Sequence, residues 1–198
     1  MNLSKSRIFL IALGAIVTLA LGITYRGSLR KGSTRVIEPP PAAVAAAVAA
    51  ARPGPSPVTL KDGTTRDLSA PSGKLLVVHF WATWCAPCEE ELPGLLAWWR
   101  GVNSNPRIEL VAVSVDEEWT VVDGFLAKRN AGDLPIALDP KKSAASAFGT
   151  EKFPETWFLS PDGEVLLHQV GAQDWTSPAA RSALDALAAK ALASPAAG

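Results

Sequence analysis

The sequence predicts an α/β domain in which a central mixed β-sheet is flanked by helices and preceded by a β-hairpin. Three observations support this fold class. Near-continuous apolar runs of strand length occur at residues 75–81 and 109–115, as expected of strands buried on both faces. A helical pattern follows each run. A second hairpin pattern and a last helix then end the chain, so parallel strands and an antiparallel pair share one sheet.

Each element has its own local signal. The turn Lys61-Asp62-Gly63-Thr64 predicts the first hairpin, and Pro161-Asp162-Gly163 predicts the second. Apolar residues at helical spacing predict the helices. In order, the predicted elements are strands 58–60, 65–68 and 75–81, helix 88–100, strand 109–115, helix 120–129, strand 135–138, helix 142–148, strands 156–160 and 164–170, and helix 177–192.

The predicted helices differ in how many apolar residues they turn inward. In the first, a buried face is expected to contain Leu92, Leu95, Leu96 and Trp99. In the second, the inward residues are expected to be Val121, Val122, Phe125 and Leu126. In the last, Leu184 and Leu187 are expected to be buried.

Composition excludes several classes of protein. The 198 residues include 19 basic and 19 acidic residues, so there is no cationic excess to bind nucleic acid. Two cysteines are too few for a disulfide-rich scaffold or a four-cysteine zinc site. A hydrophobic content of 48% is too high for a disordered protein.

The charges are unevenly distributed along the chain. The first 56 residues contain seven basic residues and one acidic residue, a net of +6, which leaves −6 for the remainder. Within this basic part, Lys5 and Arg7 precede an uncharged apolar run at residues 8–24. We therefore predict a signal anchor or transmembrane segment at residues 1–26. A signal peptide cleaved after Gly22 and a buried core helix are the alternatives.

A linker and a domain are predicted to follow this segment. Residues 27–57 are rich in alanine and proline and are expected to form a spacer. Residues 58–198 are assigned to the globular domain. The direction of insertion is ambiguous, because a short basic amino terminus favours export of the domain. The larger basic cluster at residues 26–35 favours the opposite orientation under the positive-inside rule. We expect an exported domain.

Both cysteines lie between a predicted buried strand and the helix that follows it, in Trp84-Cys85-Ala86-Pro87-Cys88. Two cysteines at this spacing can close a small disulfide. When reduced, the first sulfur faces the free amides of the helix start, which stabilise a thiolate. This arrangement predicts thiol–disulfide exchange. The alternatives are half of a zinc site, a structural disulfide or two buried thiols, although no pair of further ligands has zinc-site spacing.

Two motifs resemble a known family. The segment Phe80-Trp81-Ala82-Thr83-Trp84-Cys85-Ala86-Pro87-Cys88, followed by Glu91-Leu92-Pro93, resembles the active-site signature of thioredoxin-fold proteins of the TlpA/ResA/CcmG group. Phe148-Gly149, Pro154-Glu155-Thr156-Trp157-Phe158-Leu159 and Asp162-Gly163 resemble the proline loop of the same group. The resemblance covers roughly residues 58–192 and implies a thioredoxin-like fold and an anchored, extracytoplasmic thiol–disulfide oxidoreductase.

The resemblance implies roles for individual residues. Cys85 and Cys88 would be the catalytic pair. Pro154 would follow a cis peptide bond beside them, and the Phe153 backbone would pair with a partner's extended chain. Glu91 matches the buried glutamate of the group and would relay the proton of the Cys88 thiol. Alternatively, Glu91 is one of three glutamates that merely suit a helix start.

Further residues are predicted to contact the partner or to modulate the pair. Trp84, Ala86, Pro87 and Glu155 are candidates for the partner surface, and for Glu155 a solvated loop position is the alternative. His79 occupies a strand position where relatives usually have Asn or Asp, and it is either a base or a hydrogen-bonded buried histidine. Lys152 stands where many relatives have glycine.

The leading hypothesis is a reductase that keeps cysteines of exported client proteins reduced, as in cytochrome c maturation or metal-site assembly. It requires an upstream thiol electron donor and no cofactor beyond the redox-active disulfide Cys85–Cys88. No metal site and no nucleic-acid partner are expected. A disulfide oxidant, a copper-delivery module using the two thiolates and a noncatalytic interaction domain are the alternatives.

Overall fold

The computed structural model describes residues 52–193. The predicted anchor, most of the predicted linker and the last five residues lie outside this part of the chain. The described chain forms seven strands and four helices: β1 Pro57–Leu60, β2 Thr65–Asp67, β3 Leu75–Trp81, α1 Ala86–Val102, β4 Ile108–Ser114, α2 Trp119–Ala127, β5 Ile136–Leu138, α3 Ser143–Phe148, β6 Glu155–Leu159, β7 Val165–Val170 and α4 Pro178–Ala193.

The strands form one mixed sheet in the order β2-β1-β5-β4-β3-β6-β7. Strands β3, β4 and β5 are parallel, while β6 runs antiparallel to β3 and β7 antiparallel to β6. The N-terminal hairpin β1–β2 extends this sheet by pairing with β5. The predicted thioredoxin-like α/β fold with a mixed sheet and an N-terminal hairpin is therefore confirmed.

The central strand β3 positions the cysteine pair. All seven of its residues are buried, and it is hydrogen-bonded on both sides, to β4 and to β6. A strand that is apolar except for one histidine is suited to a central position in the sheet, where packing covers both of its faces. Because the chain leaves β3 at Trp81 and enters α1 at Ala86, the loop with Trp84 and Cys85 lies at the carboxyl edge of the sheet centre.

The helices depart from the prediction in detail. Helix α1 begins two residues earlier than predicted, because Cys85 serves as its N-cap. Helix α2 is shorter than predicted, and the expectation that Val121 faces inward is wrong, since it is 49% exposed. Val122 and Leu126, one turn apart, form the buried side of α2.

The C-terminal helix packs on the sheet less completely than predicted. Leu184 is buried, whereas Leu187 is only half-buried against the core. The loop before α4 contributes Trp175, which is the largest fully buried side chain of the described chain.

None of the helices within residues 52–193 has the length and apolar character needed to cross a membrane.

Candidate active site

The two cysteines are joined in a disulfide at the start of α1. The Cys85 and Cys88 sulfurs are 2.14 Å apart, and their Cα atoms are separated by 5.3 Å. The backbone N–H of Cys88 donates to Cys85 Sγ at 3.3 Å, so the first-turn amides face that sulfur. When the bond is reduced, these amides and the helix dipole favour a thiolate on Cys85.

The two sulfurs differ in access. Cys85 is 7% exposed and Cys88 is 3% exposed, and the residues between them, Ala86 and Pro87, are exposed. Cys85 is therefore the more accessible of the two cysteines.

A buried carboxylate fixes the loop that leads to Cys85. Asp116 accepts hydrogen bonds from the Thr83 backbone N–H at 2.9 Å and from Thr83 Oγ1 at 2.8 Å. Ser114 Oγ also donates to it at 2.6 Å. The sequence reasoning missed Asp116, although its signal was present, since it follows the buried strand next to β3 at the edge where the cysteines lie.

Glu91 lies on the buried face of α1, three residues after Cys88, where side chains are helical neighbours. Trp175 Nε1 donates to Glu91 Oε1, and the Gln173 backbone N–H also donates to the carboxylate. Glu91 Oε2 is buried and has no hydrogen-bond partner in the described part of the chain. Burial raises the pKa of Glu91 to about 8, although the two donors oppose the shift.

The other two glutamates of the helix start lie on the protein surface. Glu89 forms an ion pair with Arg129, and Glu90 is exposed. Of the three glutamates, Glu91 is therefore the one with a buried carboxylate.

The proline loop has the predicted backbone. The Phe153–Pro154 peptide bond is cis, and Pro154 is buried at the start of β6. The Pro154 carbonyl accepts a hydrogen bond from the Gly171 N–H at 2.8 Å, which ties the loop to the end of β7. Strand β6 pairs with β3, so this loop borders the loop that contains the cysteines.

Glu155 differs from both expectations for it. Its side chain is neither solvated nor presented to a partner, because the residue is only 3% exposed. Its carboxylate accepts the Lys152 backbone N–H at 3.2 Å and bonds His168 Nε2 at 2.9 Å. His168 in turn stacks on Trp157, with ring centroids 3.6 Å apart. Glu155 therefore braces the proline loop from inside.

An aromatic surface borders the disulfide. We use this name for Trp84, which is 63% exposed, and half-buried Phe153, whose rings meet edge to face at 6.0 Å. Lys142 Nζ lies 5.7 Å from the centre of the Trp84 ring. Exposed aromatic groups beside a reactive pair are suited to apolar contact with a partner.

His79 is buried in β3, at 3% exposure. Its Nδ1 hydrogen-bonds Thr156 Oγ1 at 2.9 Å, and its ring meets the Trp175 ring at 6.3 Å. Burial lowers the pKa of His79 to about 3, so the imidazole is neutral throughout the physiological range. These features are those of the hydrogen-bonded buried histidine, one of the two alternatives for this residue.

Residues 52–193 contain no group of three or more His, Cys, Asp or Glu side chains placed to hold one metal ion.

Several known proteins are similar to this chain in sequence and in fold. Residues 53–168 match the AhpC/TSA family. The chain is 31% identical over 105 residues to the thiol-disulfide oxidoreductase ResA of Bacillus subtilis, covering 53% of this chain and 58% of that protein. It is 27% identical over 132 residues to sporulation thiol-disulfide oxidoreductase A of the same organism, covering 62% and 79%. The chain thus spans little more than half the length of ResA.

A crystal structure of a Chlorobium tepidum protein named thiol:disulfide interchange protein DsbE is also similar. It superimposes with a TM-score of 0.59 at 28% identity, covering 71% of this chain and 95% of that one.

Proposed function

This chain belongs to the AhpC/TSA family, and on that premise we propose that it is a thiol–disulfide oxidoreductase that reduces disulfides of client proteins. The observation that carries the proposal is the Cys85–Cys88 pair at the start of α1, with Cys85 the more accessible sulfur and its Sγ facing the helix amides. The names of the similar proteins support the same reaction class.

The proposed reaction transfers two electrons. The Cys85 thiolate attacks one sulfur of the client disulfide, which forms a mixed disulfide and releases the other client sulfur as a thiolate. Cys88 then loses its proton and attacks Cys85 Sγ. The second client sulfur leaves as a thiolate, which takes a proton from water, and the Cys85–Cys88 disulfide forms. An upstream thiol donor must reduce that disulfide before the next cycle.

Glu91 is proposed to accept the proton that Cys88 loses. A free thiol has a pKa of about 8.5, and burial raises the pKa of Glu91 to about 8. Proton transfer between groups with similar pKa values costs little free energy, which suits a general base. The unpartnered Glu91 Oε2 is the oxygen available for this proton.

The client is proposed to bind across the aromatic surface and the proline loop. Trp84 supplies exposed apolar area, and Ala86 and Pro87 continue it along the start of α1. The Phe153 backbone, before the cis bond, can pair with an extended client segment. Glu155 supports this loop without touching the client.

Insulin reduction with dithiothreitol tests the reaction. We expect the wild-type protein to accelerate it and Cys85→Ser to abolish the acceleration. Cys88→Ser should accumulate a mixed disulfide with insulin, since the resolving thiol is gone. An active Cys85→Ser protein would contradict the proposal. A measured reduction potential near that of strong oxidants, about −120 mV, would instead favour the oxidant alternative.

We also propose that residues 8–24 anchor the protein in a membrane with the domain on the outer side, where oxidised clients of this type occur. Fractionation of cells that express the full chain tests anchoring, and the mass of the mature protein distinguishes an anchor from a cleaved signal. Protection of the domain from external protease in spheroplasts would contradict the proposed orientation.

A further inference from the structure

We propose that Trp175 is a positioning residue for Glu91: its indole N–H holds one carboxylate oxygen and leaves the other free to exchange a proton with Cys88. This inference rests on the proposed function, because it assigns the orientation of the proposed proton acceptor. Sequence reasoning gave no role to Trp175, which lies in the loop between β7 and α4.

The hydrogen bonds around Glu91 are asymmetric. The carboxylate receives Trp175 Nε1–H on Oε1 and also the backbone N–H of Gln173, while Oε2 is buried without a partner in the described residues. A buried acceptor without a donor is costly, so such atoms are rare outside functional sites. The Trp175 donor on Oε1 thus determines which way the carboxylate faces and leaves Oε2 available.

Packing fixes the direction of the Trp175 N–H. The residue is 1% exposed, and its ring packs on Trp98 and Phe158 at centroid distances of 5.0 and 6.4 Å. A Cβ atom added at Gly94 would lie 3.6 Å from Trp175 Cβ, so helix α1 passes close to the indole. A side chain held on several sides cannot swing its donor away from Glu91.

The segment that contains Trp175 also holds the proline loop. The Gly171 N–H donates to the Pro154 carbonyl at 2.8 Å, and Gln173 Nε2 donates to the Gly171 carbonyl at 2.7 Å. Residues 171–175 therefore connect the loop that would bind the client with the carboxylate that would accept the proton. The position of Glu91 relative to a bound client depends on this short segment.

Other titratable groups near Trp175 are few. His79 meets its ring edge from β3, and Cys88 lies one turn before Glu91 on α1. His79 is neutral between pH 6 and 10, since burial lowers its pKa to about 3. Among the groups that contact Trp175 or Glu91, the ones that titrate between pH 6 and 10 in the reduced protein are therefore Glu91 itself and the cysteines.

The test is Trp175→Phe, with Trp98→Phe as the matched control. Both variants lose an indole from the same cluster, but only the first loses a donor to Glu91. Loss of a donor to the ionised form should shift the Glu91 titration upward by about one pH unit. Two readouts apply: the pH dependence of insulin reduction, and the carboxyl carbon resonance of Glu91 in the NMR spectrum, assigned with Glu91→Gln.

We expect the upward shift in both readouts for Trp175→Phe and in neither for Trp98→Phe. In a Glu91→Gln background, Trp175→Phe should change the pH profile no further. A Trp175→Phe protein that titrates as wild type, or an equal shift in Trp98→Phe, would overturn the inference. The NMR readout does not depend on catalysis, so an inactive wild-type protein would overturn the proposed function and leave the positioning role measurable.

A variant that does not fold would not end the test. Replacing Trp175 with benzothienylalanine keeps the shape of the indole and removes only the N–H group. The same upward shift is expected, and an unchanged titration would again overturn the inference.

Discussion

Two buried carboxylates act on the two flanks of the cysteine pair, Asp116 through a residue before the pair and Glu91 directly after it, and their hydrogen bonding differs. Asp116 binds Thr83, two residues before Cys85, and receives three hydrogen bonds from Thr83 and Ser114. Glu91 lies three residues after Cys88, and one of its oxygens has no partner in the described chain. Both residues are 4% exposed.

This comparison shows that burial alone does not determine what a carboxylate does. A carboxylate whose oxygens are all engaged is suited to hold a loop in place, because moving it breaks several charge-assisted hydrogen bonds. A carboxylate with a free buried oxygen is poorly stabilised as an anion and is suited to take up a proton. Asp116 thus belongs to the structure of the cysteine loop, and Glu91 to its proposed chemistry.

The largest expected effect concerns Glu91 and pH. The pKa of Glu91 is raised from 4.5 to about 8 in the folded state, so its contribution to stability is present below pH 4.5 and lost as the pH rises toward 8. Between these limits, the unfolding free energy of Glu91→Gln should gain roughly 4 kcal/mol relative to wild type. Urea denaturation of both proteins at pH 4.5, 6 and 8 measures this gain. If the unfolding free energies of the two proteins differed by the same amount at all three pH values, Glu91 would not titrate in this range, and its contrast with Asp116 would be wrong.

The next effect concerns Asp116. Asp116→Ala leaves two Thr83 donors and the Ser114 hydroxyl without their acceptor, and it should lower the unfolding free energy by about 3 kcal/mol. The pH at which Glu91 titrates should not move. Asp116→Asn keeps one acceptor oxygen and should lose less. Chemical denaturation of wild type and both variants measures these losses. An Asp116→Ala protein as stable as wild type would show that Asp116 does not stabilise the cysteine loop.

A smaller effect concerns another buried carboxylate, Glu155. His168→Phe keeps a ring that can stack on Trp157 and removes the bond to Glu155. The expected loss is about 1 kcal/mol of unfolding free energy, with a higher KM for insulin because the proline loop is less firmly held. If kcat fell instead and KM did not change, Glu155 would contribute to the chemistry, as proposed for Glu91, rather than to the structure, as proposed for Asp116.

The smallest effect is expected from an exposed charge. Lys142 lies over the Trp84 ring without a carboxylate partner in residues 52–193, and an exposed cation–π contact contributes about 0.5 kcal/mol. Lys142→Gln should therefore change insulin reduction by less than about threefold. Lys141→Gln, a neighbouring exposed lysine, is the control. A tenfold loss of insulin reduction in Lys142→Gln but not in Lys141→Gln would contradict this ranking, because the exposed charge would then affect activity strongly.

The sequence predicted the parts of the site that follow from local pattern. The apolar run of β3, the cysteines at a helix start and the cis bond before Pro154 all depend on short segments or on the resemblance they carry. Trp175 escaped prediction because it lies in a loop without periodicity, 84 residues from the Glu91 that it contacts. The inward turn of Glu155 escaped because it depends on His168 in the next strand.

The Trp175 indole also separates two groups that are neutral when folded. In the unfolded chain near pH 5.5, a histidine is cationic and a glutamate is anionic. In the folded chain, both His79 and Glu91 are uncharged at that pH. Folding therefore moves one proton from the imidazole to the carboxylate with no net exchange with the buffer. A folding enthalpy measured by calorimetry near pH 5.5 changes with the buffer when folding takes up or releases protons. His79 and Glu91 together add nothing to such a change, because the proton that one loses is gained by the other.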